Sequence, residues 1–328
     1  MAFDVKILGE VYAELASRER RSRDQLDMRR AEIFRREPRI AAIDREIRSE
    51  MLRLAGEALK RGEGRAAAER AQAWVSSRRK EQRELLAELG LPSDVLDPKP
   101  LCPLCSDKHY VGGKPCRCLI EAYCEAQLDE LEQTLPVRSE TFDTFNADLF
   151  SAAVDPDWGI SPRTNMDDIL DTCRSFAERL DAQELSLLLT GGPGLGKTFL
   201  ASAIAASLSR QGRSVIALEA VSFFSLCERE KFSNDPDTVE AAEAALSRIY
   251  ACDLFILDGL GSELRSPFIS TSLYTLLNRR HKDGRRLVIC TGLDEGEISP
   301  RYTPQVTSRI RGEFTVLPFF GADLRTGH

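Results

Sequence analysis

Gly191-Gly192-Pro193-Gly194-Leu195-Gly196-Lys197-Thr198 is the stretch on which the reading of this chain turns. It satisfies G-x-x-x-x-G-K-[ST] in full, between the apolar run Leu185 to Leu189 and an Ala-rich segment that starts at Lys197. Strand, loop and helix in that order are the context the motif requires. Glycines admit positive φ, so successive N–H groups can converge on phosphate oxygens while the helix start adds partial positive charge. The chemistry expected is binding of a nucleoside triphosphate, ATP, in the cradle Gly191 to Thr198. Lys197 would meet the β- and γ-phosphates, and the Thr198 hydroxyl would ligate Mg²⁺.

Working outward, apolar strands alternate with helical segments: Leu185 to Leu189, Ser214 to Leu218, Leu254 to Leu257 and Leu287 to Cys290. That alternation predicts an α/β domain with a parallel sheet. The unbroken run Leu254-Phe255-Ile256-Leu257 suits a strand buried on both faces. Asp258 follows it directly and is the expected second Mg²⁺ carboxylate. Where many ATPases place a further acid to activate water, position 259 is Gly. Glu263 is then a candidate catalyst, although a structural carboxylate or one at a subunit boundary is the first reading. Arg309, in Thr307-Ser308-Arg309-Ile310, and Arg325, in Gly321-Ala322-Asp323-Leu324-Arg325, read either as surface residues or as charges directed at a γ-phosphate in an oligomer.

The N-terminal half has another character. Residues 4 to 90 are rich in Ala, Leu, Glu, Arg and Lys, a helical composition. Ile40, Ile43, Ile47, Met51 and Leu54 form one narrow apolar stripe, which predicts a helical hairpin or bundle. Pro38 should interrupt the first helix and Gly62-Glu63-Gly64 the second. The Arg-rich faces read first as solvated helix surface and second as a partner or nucleic-acid face. Leu91 to Pro100 is a proline-marked linker into Cys102-Pro-Leu-Cys105, ten residues, then Cys116-Arg-Cys118. Four thiolates with Gly112 and Gly113 turning between the pairs predict a closed structural Zn²⁺ site. His109 and Cys124 are reserve ligands, Cys124 reading rather as a small hydrophobe. A helix over Leu119 to Leu135 leads to Thr141-Phe142-Asp143-Thr144-Phe145, whose two Phe read as core anchors. Cys173, Cys227, Cys252 and Cys290 read as core, and Phe223 and Phe224 as helix packing.

The 328 residues exceed what one core usually serves. The expected organisation is a helical region over 1–98, a zinc module with its helix over 99–136, a linker over 137–160 and the nucleotide domain over 161–328. At 42% hydrophobic and 30% charged, with no apolar run near the about 18 residues of a membrane span, a membrane protein is not expected. The N-terminus lacks a basic segment followed by an apolar one, so a cytoplasmic location is expected. The net charge of -7 averages over basic crowding at Arg18 to Arg36 and at Arg78, Arg79, Lys80 and Arg83, and so says little about nucleic acid. Nine cysteines in a reducing compartment predict no disulfide framework.

Together the motifs resemble those of bacterial replicative-helicase loaders of the DnaC/DnaI type, in the AAA+ class and the IstB-like ATP-binding family. The resemblance rests on the Cys102 to Cys118 segment, the Thr141 to Phe145 entry, the phosphate loop, Asp258-Gly-Leu-Gly-Ser-Glu263, Ser308-Arg309-Ile310 and Gly321-x-Asp323-x-Arg325. It implies an AAA+ fold and an N-terminal domain that grips the replicative DNA helicase. It also implies contact with single-stranded DNA and a homo-oligomer in the helicase complex. By the same likeness Arg309 matches the trans-acting arginine finger and Arg325 the second sensor. Two positions depart from the family pattern: Gly259 stands where the second acid of an Asp-Asp pair is expected, and Thr291-Gly292 where an Asn sensor is expected. ATP as a switch, with slow hydrolysis, is the reading that fits both. The alternatives are a transposition helper ATPase, against which the N-terminal cysteine segment argues, and a nucleotide-binding adaptor without ATPase activity.

Overall fold

The computed structural model describes residues 3–61 and 64–325, the side chains of 54–71 excepted. It divides into two compact units, Tyr12–Cys116 and Met1–Val11 with Arg117–His328.

Three helices run through the N-terminal part: α1 (Val5–Arg36), α2 (Pro38–Arg61) and α3 (Gly64–Glu88). Pro38 opens α2, where its missing N–H is no loss. Gly62 and Glu63 lie outside the described residues, and Gly64 begins α3. The expected hairpin is α2 packed against α3. Ile40 and Ile43 are fully buried and Ile47 nearly so, whereas Met51 is exposed and the Leu54 side chain lies outside the described residues. Ile33, Ile40, Leu86 and Leu96 form the core of this unit. Arg30 Nη2 donates to the Leu96 carbonyl at 2.7 Å, which folds the proline-marked linker back onto α1. Pairs such as Arg18–Glu14 and Arg23–Glu19 lie along exposed faces one helical turn apart, as a solvated surface would.

A short antiparallel hairpin, β1 (Tyr110–Val111) and β2 (Lys114–Pro115), turns through Gly112 and Gly113 at φ of 57° and 77°. Two consecutive positive φ values suit a two-residue hairpin turn.

The second unit is an α/β domain: five parallel strands with helices on both faces. Its elements are α4 (Arg117–Leu131), α5 (Pro162–Glu178), β3 (Ser186–Thr190), α6 (Lys197–Arg210), β4 (Val215–Glu219), α7 (Ala220–Phe232) and α8 (Pro236–Ala251). There follow β5 (Leu254–Leu260), α9 (Pro267–Lys282), β6 (Arg286–Thr291), α10 (Glu295–Arg301), α11 (Pro304–Glu313) and β7 (Phe314–Pro318). The strand order is β4-β5-β6-β3-β7. Side chains alternate between two cores: Leu187, Leu189, Ile256 and Cys290 enter one, Leu188, Phe255, Leu257 and Ile289 the other. That two-sided burial is why the strands read as continuous apolar runs. All four scattered cysteines, and Phe223 and Phe224, are buried in these cores, while Phe142 and Phe145 pack against the first.

The helix α4, grouped with the cysteine module in the sequence reading, folds instead with the sheet. The reason is an open strand edge. Gln127 accepts from Val215 N–H at 3.0 Å and donates to the Arg213 carbonyl at 2.6 Å, satisfying the backbone at the start of edge strand β4. On the far side of the sheet, Arg280 is fully buried. It donates to the carbonyls of Ile249 (2.5 Å), Cys252 (3.1 Å), Asp253 (3.3 Å) and Arg286 (2.6 Å), tying the end of α8 to the starts of β5 and β6.

Candidate nucleotide-binding site

The phosphate loop leaves β3 at Thr190 and enters α6 at Lys197. Gly191, Gly194 and Gly196 take φ of 127°, 71° and 91°, the left-handed region that favours glycine. Gly192, Pro193 and Leu195 complete the turn. Lys197 Nζ folds back to the carbonyls of Gly191 (2.6 Å) and Gly192 (2.5 Å), so its ammonium sits inside the loop. Burial depresses its pKa, with Arg325 acting in the same direction and Asp258 opposing. Thr198 Oγ1 donates to Asp258 Oδ2 at 3.0 Å. The two oxygen groups expected to hold Mg²⁺ are thus adjacent, a hard donor set suited to that ion.

Beyond Asp258 the strand is irregular. The register between β5 and β6 shifts between Leu257 and Leu260, and Gly259 takes φ of 71°. Glu263 does not stand free beside the loop: its side chain is 3% exposed. Its Oε2 accepts from Gly261 N–H at 2.8 Å and its Oε1 from Tyr302 OH at 2.5 Å and Arg301 Nη2 at 3.2 Å. A carboxylate so bound holds the loop after β5. The structural role is among the readings the sequence left open for Glu263, and these contacts are consistent with it. Thr291 is likewise committed, donating to the Leu260 carbonyl at 2.6 Å and accepting from Leu293 N–H at 3.0 Å.

The two arginines part company. Arg309, on α11, donates to Asn278 Oδ1 at 2.8 Å and pairs with Glu313, so its partners are on α9 and its own helix. Arg325 follows β7 on a segment that returns to the phosphate loop, with the Leu324 N–H donating to the Gly194 carbonyl at 3.0 Å. Sequence reasoning missed the closeness of this return. A β-carbon on Gly191 would overlap the Phe319 carbonyl oxygen, and one on Gly194 the Asp323 carboxylate. The signal was present in the paired glycines and in Gly321-x-Asp323-x-Arg325, but not their mutual contact.

Cys102, Cys105, Cys116 and Cys118 bring their sulfurs within 4.8 Å of one another. The Cys102 and Cys116 sulfurs are 3.8 Å apart. A tetrahedron with metal–sulfur bonds of about 2.3 Å has edges of about 3.8 Å, so this spacing fits a four-thiolate metal site and is far too long for a disulfide. Asp107 shapes the first knuckle by accepting from Leu101 and Cys102 N–H at 3.1 and 2.8 Å. The reserve ligands stay out of the group. His109 Nε2 is 3.3 Å from Glu19, and Cys124 is buried on α4 with its thiol pushed up by burial.

Residues 167–299 match the family of IstB-like ATP binding proteins, and the phosphate loop and Asp258 lie within that span. That region is similar to IstB-like ATP binding proteins. Replicative helicase loader DnaC of Escherichia coli K12 is 26% identical over 142 residues, 43% of this chain and 56% of that protein. Its counterpart from Buchnera aphidicola (Schizaphis graminum) is 25% identical over 143 residues, 44% and 57%. The chain therefore spans just over half the length of the curated relatives it matches. Among solved structures, this chain is similar to the DnaC helicase loader, with TM-score 0.45 and 19% identity, covering 56% of this chain and 99% of that one. Among the described residues, no helix is long and apolar enough to cross a membrane.

Proposed function

We propose that this chain loads a replicative DNA helicase onto single-stranded DNA, using ATP bound to its IstB-like domain chiefly as a switch. The observation that carries the reading is the contact of Thr198 with Asp258 beside the phosphate loop, in a domain similar to proteins named as replicative helicase loaders. Gly191 to Lys197 would bind the triphosphate, and Thr198 and Asp258 would hold Mg²⁺, which supplies charge neutralisation when bound. Slow hydrolysis follows from Gly259, which brings no carboxylate, and from the Glu263 carboxylate being tied to Arg301 and Tyr302. In an oligomer Arg309 would serve a neighbouring subunit's nucleotide and Arg325 its own chain's. The helices within residues 1–98 would contact the helicase, and the cysteine group would hold a structural Zn²⁺ that keeps the hairpin between its two pairs in place.

The test uses the full chain, because α4 folds with the sheet and a cut after residue 135 would expose its buried face. The chain and the replicative helicase of the same organism are co-purified with Mg-ATP, and helicase deposition on closed circular single-stranded DNA is measured. Absence of a complex, with zinc retained and ATP bound, would sink the loading reading. The adaptor reading, favoured by Gly259, separates on turnover. Brisk steady-state ATP hydrolysis that disappears in Lys197→Ala rules it out.

A further inference from the structure

We propose that Asp323 is a positioning residue of the nucleotide site, clipping the C-terminal segment to the phosphate loop so that Arg325 is held beside Lys197. The proposal rests on the nucleotide reading of that loop.

The segment is attached at successive points. β7 pairs with β3 as far as Pro318 opposite Thr190, and the pairing runs one step further as Phe319 N–H donates to the Thr190 carbonyl at 2.8 Å. The Phe319 carbonyl then occupies the space that a side chain at position 191 would need. Asn165, on α5, donates to the Pro318 carbonyl at 2.8 Å, and the Trp158 ring stacks on Phe320 with centroids 4.5 Å apart. The chain turns at Gly321, φ 120°, against Pro162, and comes back to the loop. There Leu324 N–H meets the Gly194 carbonyl, and the Asp323 carboxylate lies over the Gly194 α-carbon, its Oδ2 2.8 Å from where a β-carbon would be. Asp323 Oδ1 also accepts the backbone N–H of Arg325 at 2.9 Å, a local turn that fixes residue 325. One side chain therefore touches the loop and sets the conformation of the arginine that follows it. The electrostatic influence of Arg325 on Lys197 agrees with that placement.

Two roles for Asp323 predict opposite signs. As a bare negative charge at the rim of a triphosphate site it would oppose the ligand, and its removal would tighten binding. As the residue that fixes Arg325 it would favour the ligand, and its removal would weaken binding. Affinity for Mg-ATP, measured by calorimetry on the full chain, decides between them. We expect Asp323→Ala to weaken binding about fivefold or more, the range of a lost capping hydrogen bond together with part of a charge contact. Asp323→Asn, which keeps the acceptor oxygen, should stay within about twofold of the unaltered chain. In an Arg325→Ala background, adding Asp323→Ala should change little, because the group it acts through is gone. Unchanged or tighter binding by Asp323→Ala overturns the proposal, as does an equal loss with and without Arg325. If the unaltered chain and Lys197→Ala both fail to bind Mg-ATP, the nucleotide reading itself falls. If Lys197→Ala alone abolishes binding while Asp323→Ala is silent, only this inference does.

Discussion

Thr198 Oγ1 donates to Asp258 Oδ2 at 3.0 Å across 60 residues of sequence, joining the first turn of α6 to the end of β5. That contact makes one site of two motifs, and its parts should fail differently. Lys197→Ala should weaken ATP binding about a hundredfold, because it removes the half-buried ammonium from the loop. Asp258→Asn should leave magnesium-free binding nearly intact and remove most of the gain from Mg²⁺. Titrations with and without the ion check both.

The glycines of the site are not equivalent. Gly191 combines φ of 127° with a backbone carbonyl that cannot retreat, whereas the space around Gly259 is open, its nearest neighbour being Ser262 Oγ at 3.7 Å. Gly259→Ala should cost about 1–2 kcal/mol, the strain of a left-handed residue, with ATP binding kept. Gly191→Ala should cost more and should also loosen the C-terminal segment. Denaturant midpoints beside binding constants give the comparison.

Glu263→Gln should act on stability. It preserves the acceptor for Tyr302 but strips Arg301, 12% exposed, of its buried counter-charge, so a loss of about 2–4 kcal/mol is expected. A variant of native stability with greatly reduced turnover would restore Glu263 as a catalyst.

Arg280→Lys should lower stability by about 3 kcal/mol, since one ammonium cannot serve the four carbonyls that the guanidinium reaches. Thermal melts of the unliganded chain show it, without a change in zinc content.

Alkaline pH should also destabilise the fold. Burial pushes the Cys173 thiol up to about 12 from its ordinary value near 9.0. The folded state therefore favours the neutral form. That preference has no effect below about pH 9, where the unfolded thiol is also neutral. Stability falls as pH rises from there towards 12, by at most about 1.4 kcal/mol per unit for this group. Cys173→Ala should flatten that part of the profile, apart from any uniform loss for the missing sulfur.

The sequence by itself determined the elements whose chemistry is local. The loop Gly191 to Thr198 carries its own strand, turn and helix, and its glycines are required by backbone dihedrals. The unbroken strand runs announced two-sided burial, and the cysteine spacing with Gly112 and Gly113 announced a closed thiolate group, because each needs only neighbours within a few residues. The short edge strand Phe314–Pro318 was not legible, since five residues ending on proline give too little pattern to separate from a turn. Only the tertiary structure decided what depends on distant partners. It placed α4 on the sheet because Gln127 satisfies the edge of β4, and it committed Glu263 to Arg301 and Tyr302, residues nearly forty positions away. It also brought Asp323 onto Gly194. A motif states which atoms a site needs, but the partners that hold or occupy those atoms are chosen by packing between segments that sequence spacing does not relate.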